Sequence, residues 1–294
     1  MKILEGRTAL ITGAGGGLGT AFVRALVAEG MNVAATDLDL GRAEAVAADY
    51  PADRVRPFHL DVTDFAEWAR VADEAEAALG QIRLFVSNAG IGAGCIVAED
   101  DPRRWKLVLD VNAYGPFLGC RTLLPRMLKR GDDSHIVFMA SMAGLLSNPS
   151  LSSYDASKHA LVGLAGSLRG ELADGPVGVS LVLPGVIATE FTKLSQEVIG
   201  RVTGSTTRAQ NVGALHQSGM DPNAVVRRVI AAIKAREYYV FTHADWRDRL
   251  QAAHDERIAA IGDSADPDWI DSFAGLDAAI RKNLEEAKLA SGQS

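Results

Sequence analysis

Thr8-Ala9-Leu10-Ile11-Thr12-Gly13-Ala14-Gly15-Gly16-Gly17-Leu18-Gly19 is the stretch on which the fold turns. Its first four residues are apolar enough to read as a buried parallel strand. Beyond the glycines, Ala21, Phe22, Ala25, Leu26 and Ala28 recur at helical spacing. A Gly-rich run is by itself often only a loop. Placed between a strand and a helix, it lets the backbone approach a pyrophosphate, while the helix offers free N–H groups and the positive end of its dipole. No Gly-Lys-Ser/Thr ending follows, which excludes a P-loop.

The next strand, Met31 to Thr36, runs into Asp37, 24 residues after Gly13. A carboxylate there can accept both hydroxyls of an adenosine ribose, as NAD requires, and it would repel a 2′-phosphate. The neighbours that could have supplied a cation, Gly16 and Leu38, are not basic, which leaves Arg42 as the nearby base. Asp is also a common turn residue, and its place at a strand end decides for the binding role. Strands are expected near 7–12, 31–36, 55–60, 82–87, 134–140, 178–183 and 237–241, with helices between them. That alternation predicts one doubly wound (Rossmann) α/β domain over residues 1–242, a parallel sheet of seven strands.

Further along, the run SSYDASKHA places Tyr154 four residues before Lys158. On a helix the two stack on one face, and the ammonium would favour ionisation of the phenol. General-base work at neutral pH needs a fall of roughly 3 pKa units, about 4 kcal/mol. Taken alone, a Tyr and a solvated Lys on one helix face explain the spacing as well.

With these motifs in order, residues 6 to about 242 resemble the short-chain dehydrogenase/reductase family, in its shorter, single-domain subfamily. TGAGGGLG fits its TGxxxGxG turn through Gly13, Gly17 and Gly19, with Leu18 between the last two. Asp61 and Val62 fit the adenine-contacting pair after the third strand. Ser87-Asn88-Ala89-Gly90 fits the NNAG element, except that Ser87 stands where Asn is usual, for which only a small effect on strand packing is expected. Asn112 fits the helix asparagine of the catalytic tetrad, and Ser141 lies thirteen positions before Tyr154, at the family spacing. Pro184 to Thr189, including Ile187, fits the PGxxxT segment that holds the nicotinamide. The resemblance implies Tyr154 as general acid/base and Lys158 as its pKa-lowering partner and ribose ligand. It further implies Ser141 as the holder of the substrate oxygen and Asn112 as the anchor of a proton-relaying water. Read singly, Ser141 could cap a helix and Asn112 could satisfy a break in one.

Composition agrees with a soluble cytoplasmic enzyme. A net charge of −7 argues against a nucleic-acid partner. No apolar run reaches the ~18 residues of a membrane span, and no signal peptide is expected before the first strand. Cys95 and Cys120 form no CxxC, and the histidines show no paired metal-ligand spacing, so no metal is expected in the chemistry.

The substrate is expected beyond the C-terminal strand ends, against Ile91–Ile96, Met142–Leu146 and the segment after Pro184. Met142, Leu145, Val186 and Phe191 are its candidate contacts, beside Ser141 and Tyr154. This lining is apolar or small, and it points to an apolar secondary alcohol or ketone, aromatic ones included. Residues 190–221 read as a long loop without periodicity, a lid in which Phe191, Leu194, Val198 and Ile199 either face the substrate or cover the core. Residues 243–288 read as a helical C-terminal extension, a lid or a subunit interface. Its first stripe would be Trp246, Leu250, His254 and Ile258, its second helix would start at Asp266-Pro267, and 289–294 would be a disordered tail. The run Tyr239–His243 with this extension resembles bacterial dehydrogenases of lignin-derived aryl ethers. The family resemblance implies a homodimer or homotetramer. An NADPH-dependent ketone reductase and a non-catalytic dinucleotide sensor stay open as alternatives.

Overall fold

The computed structural model describes residues 4–92, 94–204 and 219–261, with Ile280, Lys282, Asn283 and Glu286 beyond them. Every residue of β1 (Thr8–Thr12) is buried, because this strand sits inside the sheet with a helical layer on each face. The others are β2 (Asn32–Asp37), β3 (Val55–His59), β4 (Ile82–Ser87), β5 (Ser134–Met139), β6 (Val177–Leu183) and β7 (Tyr239–Phe241). They pair in parallel in the order β3-β2-β1-β4-β5-β6-β7. Strand order reverses between β1 and β4, and a crevice opens beyond their C-terminal ends. The seven expected strands are thus present in one doubly wound sheet.

The helices are α1 (Gly17–Ala28), α2 (Leu40–Ala47), α3 (Phe65–Leu79), α4 (Pro102–Leu109), α5 (Gly115–Arg130), α6 (Ser152–Glu171), α7 (Phe191–Thr203), α8 (Pro222–Ala235) and α9 (Arg247–Ile261). Asp39, Asp64, Asp101 and Asp221 cap α2, α3, α4 and α8 by accepting first-turn N–H groups. Pro102 and Pro222 begin two of these helices, where a missing N–H costs nothing. On one face of the sheet Phe22, Leu26, Val225, Val229 and Ile233 fill the core. On the other, Trp68 meets Phe85 edge-on at 5.6 Å, and Gly119 leaves them room, since a Cβ there would lie 2.5 Å from the Phe85 ring.

Two expectations are corrected. The first half of the 190–221 loop is helical. Phe191, Leu194, Ser195, Val198 and Ile199 line one face of α7, which Gly204 ends at φ +68°. Residues 205–218 lie outside the described ones. Second, Trp246 does not begin a buried helical stripe. It ends a short 3₁₀ turn (Ala244–Trp246), and in α9 His254 and Ile258 are exposed and Leu250 is only half-buried. Charged Arg247, Asp248, Arg249, Asp255, Glu256 and Arg257 leave that helix too little apolar surface. The chain divides into two units, Met1–Trp246 and Arg247–Ser294. The expected second helix from Asp266 and the tail fall outside the described residues, apart from the four positions named above. None of the described helices is long and apolar enough to cross a membrane.

Candidate active site

The Gly-rich turn is built for close approach. Gly13 takes φ +65°, and a Cβ there would lie 2.9 Å from Ala89 Cα. At Gly19 a Cβ would fall 2.1 Å from the Gly13 carbonyl, and at Gly17 it would press on Thr189 at 3.1 Å. Gly16 begins α1 with no side chain capping it, so the first N–H groups of that helix are left for a ligand. Leu18 is half-buried behind the turn. Asn88 donates to the carbonyls of Thr12 and Gly13, while the Thr12 hydroxyl accepts the N–H groups of Asn88 and Ala89. Asn88 therefore holds the turn through its backbone. Ser87, the departure from the family pattern, is buried at the end of β4.

Asp37 ends β2, with one carboxylate oxygen accepting from Gly15 N at 2.9 Å and the other from Asp39 N at 3.0 Å. A carboxylate has about four acceptor positions, so both oxygens can still take a ribose hydroxyl. Arg42, the base next to it, is engaged by Glu197 of α7 at 2.6 Å and by Asp39 at 3.5 Å. Asp61 accepts from the N–H and hydroxyl of Thr63, and the Val62 carbonyl accepts from Trp68 Nε1, which shapes the turn after β3.

The four tetrad candidates come from three places and converge: Tyr154 and Lys158 from α6, Ser141 from the turn after β5, and Asn112 from between α4 and α5. Asn112 sits in a wide π turn (Asp110–Tyr114) that joins α4 to α5. Its carboxamide makes three hydrogen bonds: Oδ1 accepts from Ile91 N, and Nδ2 donates to Ile91 O and to the Ser157 hydroxyl. A Cβ at Gly90 would lie 3.2 Å from Asn112 Oδ1 and 3.7 Å from Lys158 Nζ, so a larger side chain there would press on Asn112. Lys158 donates to Met139 O at 2.8 Å and lies 5.6 Å from the centroid of the Tyr154 ring. Ser141 accepts from Ala143 N, donates to Pro184 O at 3.5 Å and hydrogen-bonds Tyr154. Ser157 escaped sequence reading because a small residue inside a helix carries no pattern of its own.

The electrostatics run against one expectation. Burial pushes Tyr154 up to about 12, opposed by its hydrogen bond to Ser141, and brings Lys158 down to about 8. The spacing argument takes the ammonium as the dominant influence on the phenol. In the fold, Lys158 spends a hydrogen bond on Met139 O and faces the ring, so desolvation prevails.

Phe191 covers this centre, with its ring centroid 6.1 Å from that of Tyr154. It lies so close to Gly92 that a Cβ there would be 2.6 Å from the ring. Ser195 accepts from Gly92 N and donates to Phe191 O. Ile199 and Val198 instead pack with Ile91 and Val108, and Leu194 faces Gly16. Helix α7 therefore divides its apolar residues between the cleft and the core. Met142 is buried, whereas Leu145, Val186 and Ile187 keep part of their surface open, and Ala93 lies outside the described residues. Cys120 is buried in α5, where desolvation raises its thiol to about 12, and Cys95 pairs its N–H with Ser150 O. Among the described residues, no group of three or more His, Cys, Asp or Glu is placed to hold a metal.

A family model described as short chain dehydrogenase matches residues 7–199. The 3-alpha-(or 20-beta)-hydroxysteroid dehydrogenase of Mycobacterium tuberculosis is 38% identical over 189 residues, 64% of this chain and 72% of that protein. The D-threitol dehydrogenase of Mycolicibacterium smegmatis is 36% identical over 190 residues, 64% of this chain and 73% of its own. Among solved structures, a short chain dehydrogenase/reductase from Burkholderia phymatum in complex with NAD superposes with a TM-score of 0.81 at 33% identity, over 92% of this chain and 100% of that one. The chain therefore belongs to the short-chain dehydrogenase/reductase family. It is an oxidoreductase working between alcohols and carbonyls.

Proposed function

We propose that this protein interconverts an apolar secondary alcohol, aromatic alcohols included, and its ketone with NAD, using Tyr154 as general acid and base. The observation that carries the reading is the meeting of Tyr154, Ser141 and Lys158 beside a Gly-rich turn closed by Asp37. The bound nicotinamide gives or accepts the hydride. Ser141 holds the substrate oxygen and donates toward charge that develops on it. The Tyr154 phenol, protonated at neutral pH with its pKa at about 12, delivers the proton to a ketone oxygen and takes it back from the alcohol. Lys158 would hold the nicotinamide ribose and keeps a cation near the phenol. Asn112 holds Ile91 and Ser157 in place behind it, and water beside it carries the proton onward.

Gly13, Gly17, Leu18 and Gly19 would receive the pyrophosphate, Asp37 the adenosine ribose, Asp61 and Val62 the adenine, and Asn88, Gly90, Pro184, Ile187 and Thr189 the nicotinamide half. The engagement of Arg42 by Glu197 and Asp39 supports NAD over NADP, because that cation is spoken for. Exposed Ile96 and Val97 after β4, together with Phe191, Leu145 and Val186, support an apolar substrate.

The test is a panel of secondary alcohols with NAD and with NADP, followed by NADH fluorescence. It should include a hydroxysteroid, a benzylic alcohol and D-threitol. We expect turnover of the apolar members with NAD and weak turnover with NADP. A preference for D-threitol would overturn the substrate class, and equal use of both cofactors would overturn the role of Asp37.

A further inference from the structure

His243 follows β7 and reaches back to the segment after β6. Gly185 N donates to its Nδ1 at 3.0 Å, and its Nε2 meets Val186 O at 3.1 Å. A neutral imidazole has one acceptor nitrogen and one donor nitrogen, and here it faces one donor and one acceptor on adjacent residues. Only the tautomer with the proton on Nε2 satisfies both. Thr242 Oγ1, 2.7 Å from Nδ1, adds a second donor on that side. The ring packs closely on the backbone: a Cβ at Gly185 would fall 3.0 Å from it and 2.7 Å from Trp246 Nε1. Val186 O also accepts from Met220 N, so the strip is held from two sides.

The clasped strip crosses the cleft. At one end Pro184 O accepts from Met142 N at 2.9 Å and from Ser141 Oγ. At the other end Thr189 rests on Gly17. A dinucleotide with its phosphates on the Gly-rich turn and its reactive ring beside Tyr154 would lie against this strip. We propose that His243 is a positioning residue, whose neutral ring sets Gly185 and Val186 against the nicotinamide end of the cleft. This rests on the NAD reading above. Without the imidazole, Gly185 N–H loses its acceptor and the strip loses one of its two anchors. Small displacements of this kind are costly where a reacting ring must be aligned.

The experiment compares NADH with ADP-ribose, which lacks the nicotinamide, in the unaltered protein and in His243→Ala and His243→Asn. The Asn amide can still accept from Gly185 N–H, and that variant keeps the test open if His243→Ala does not fold. Expected for His243→Ala is a loss of about tenfold in NADH affinity, the scale of one lost buried hydrogen bond, with ADP-ribose affinity nearly unchanged. His243→Asn should recover part of that loss. Equal weakening of both ligands, or NADH binding unchanged in both variants, would overturn the proposal. Failure of the unaltered protein to bind NADH would instead overturn the cofactor reading.

Discussion

Burial acts on Tyr154 and Lys158 in opposite directions, raising the phenol and lowering the ammonium. Each group is thereby kept nearer its neutral form than in water. At Asp37, both carboxylate oxygens are oriented by backbone N–H groups before any ligand arrives. Asp37→Ser removes the charge that would repel a 2′-phosphate. It should therefore narrow the ratio of kcat/KM for NAD over NADP by about tenfold or more, the scale of 1.4 kcal/mol. Steady-state kinetics with both cofactors would check this. An unchanged ratio would show that Asp37 does not read the ribose.

Helix α7 closes on the cleft through Ser195, whose hydroxyl is buried between Gly92 N and Phe191 O. Ser195→Ala leaves the Gly92 N–H unpaired, which should cost about 1–3 kcal/mol in urea unfolding. It should also raise KM for the alcohol, because Phe191 loses its tether. Strand β5 carries a different burden. His135 is buried and donates through Nε2 to Ser180, whose hydroxyl donates in turn to Glu237 O. Desolvation brings its pKa from 6.5 to about 3. The unfolded chain therefore binds this proton where the folded chain does not. The resulting stability is complete above pH 6.5 and is lost as pH falls toward about 3, about 5 kcal/mol in all. Thermal unfolding of His135→Asn should lack this acid limb, and an identical pH dependence in the two proteins would contradict the assignment.

Strands such as those around Ile11 and Val86 are legible in the sequence because each is a short apolar run that stops at Gly13 or Asn88. The tetrad candidates Tyr154, Lys158, Ser141 and Asn112 come from the family resemblance, because the Tyr154–Lys158 spacing by itself fits a solvated pair as well. Helix α7 is not legible, although Phe191, Leu194, Val198 and Ile199 already have helical spacing, because Gly200 and the Gly/Thr-rich stretch after it mask the pattern. The direction of the Tyr154 shift is not legible either, since it depends on depth of burial.

At the scale of the whole molecule, Tyr114 stacks on Phe117 at 6.0 Å on the outside of α5, and both are nearly half exposed. With Trp105 of α4 nearby in sequence, these exposed rings support the homodimer or homotetramer that the family resemblance implies. For the C-terminal extension we propose a role as a lid or as a subunit interface. If it closes on the cleft, deleting residues 263–294 raises KM for bulky alcohols and leaves the assembly intact. If it packs between subunits, the deletion lowers the mass seen by light scattering. A truncated enzyme with unchanged kinetics and mass would contradict both. The central claim is hydride transfer assisted by one phenol. The most direct test is the turnover of Tyr154→Phe against the unaltered enzyme on one secondary alcohol with NAD, with NADH affinity measured alongside. Removing the hydroxyl keeps the ring, so kcat should fall by about 10²-fold or more while NADH affinity stays nearly the same. Turnover at the unaltered rate would contradict the account.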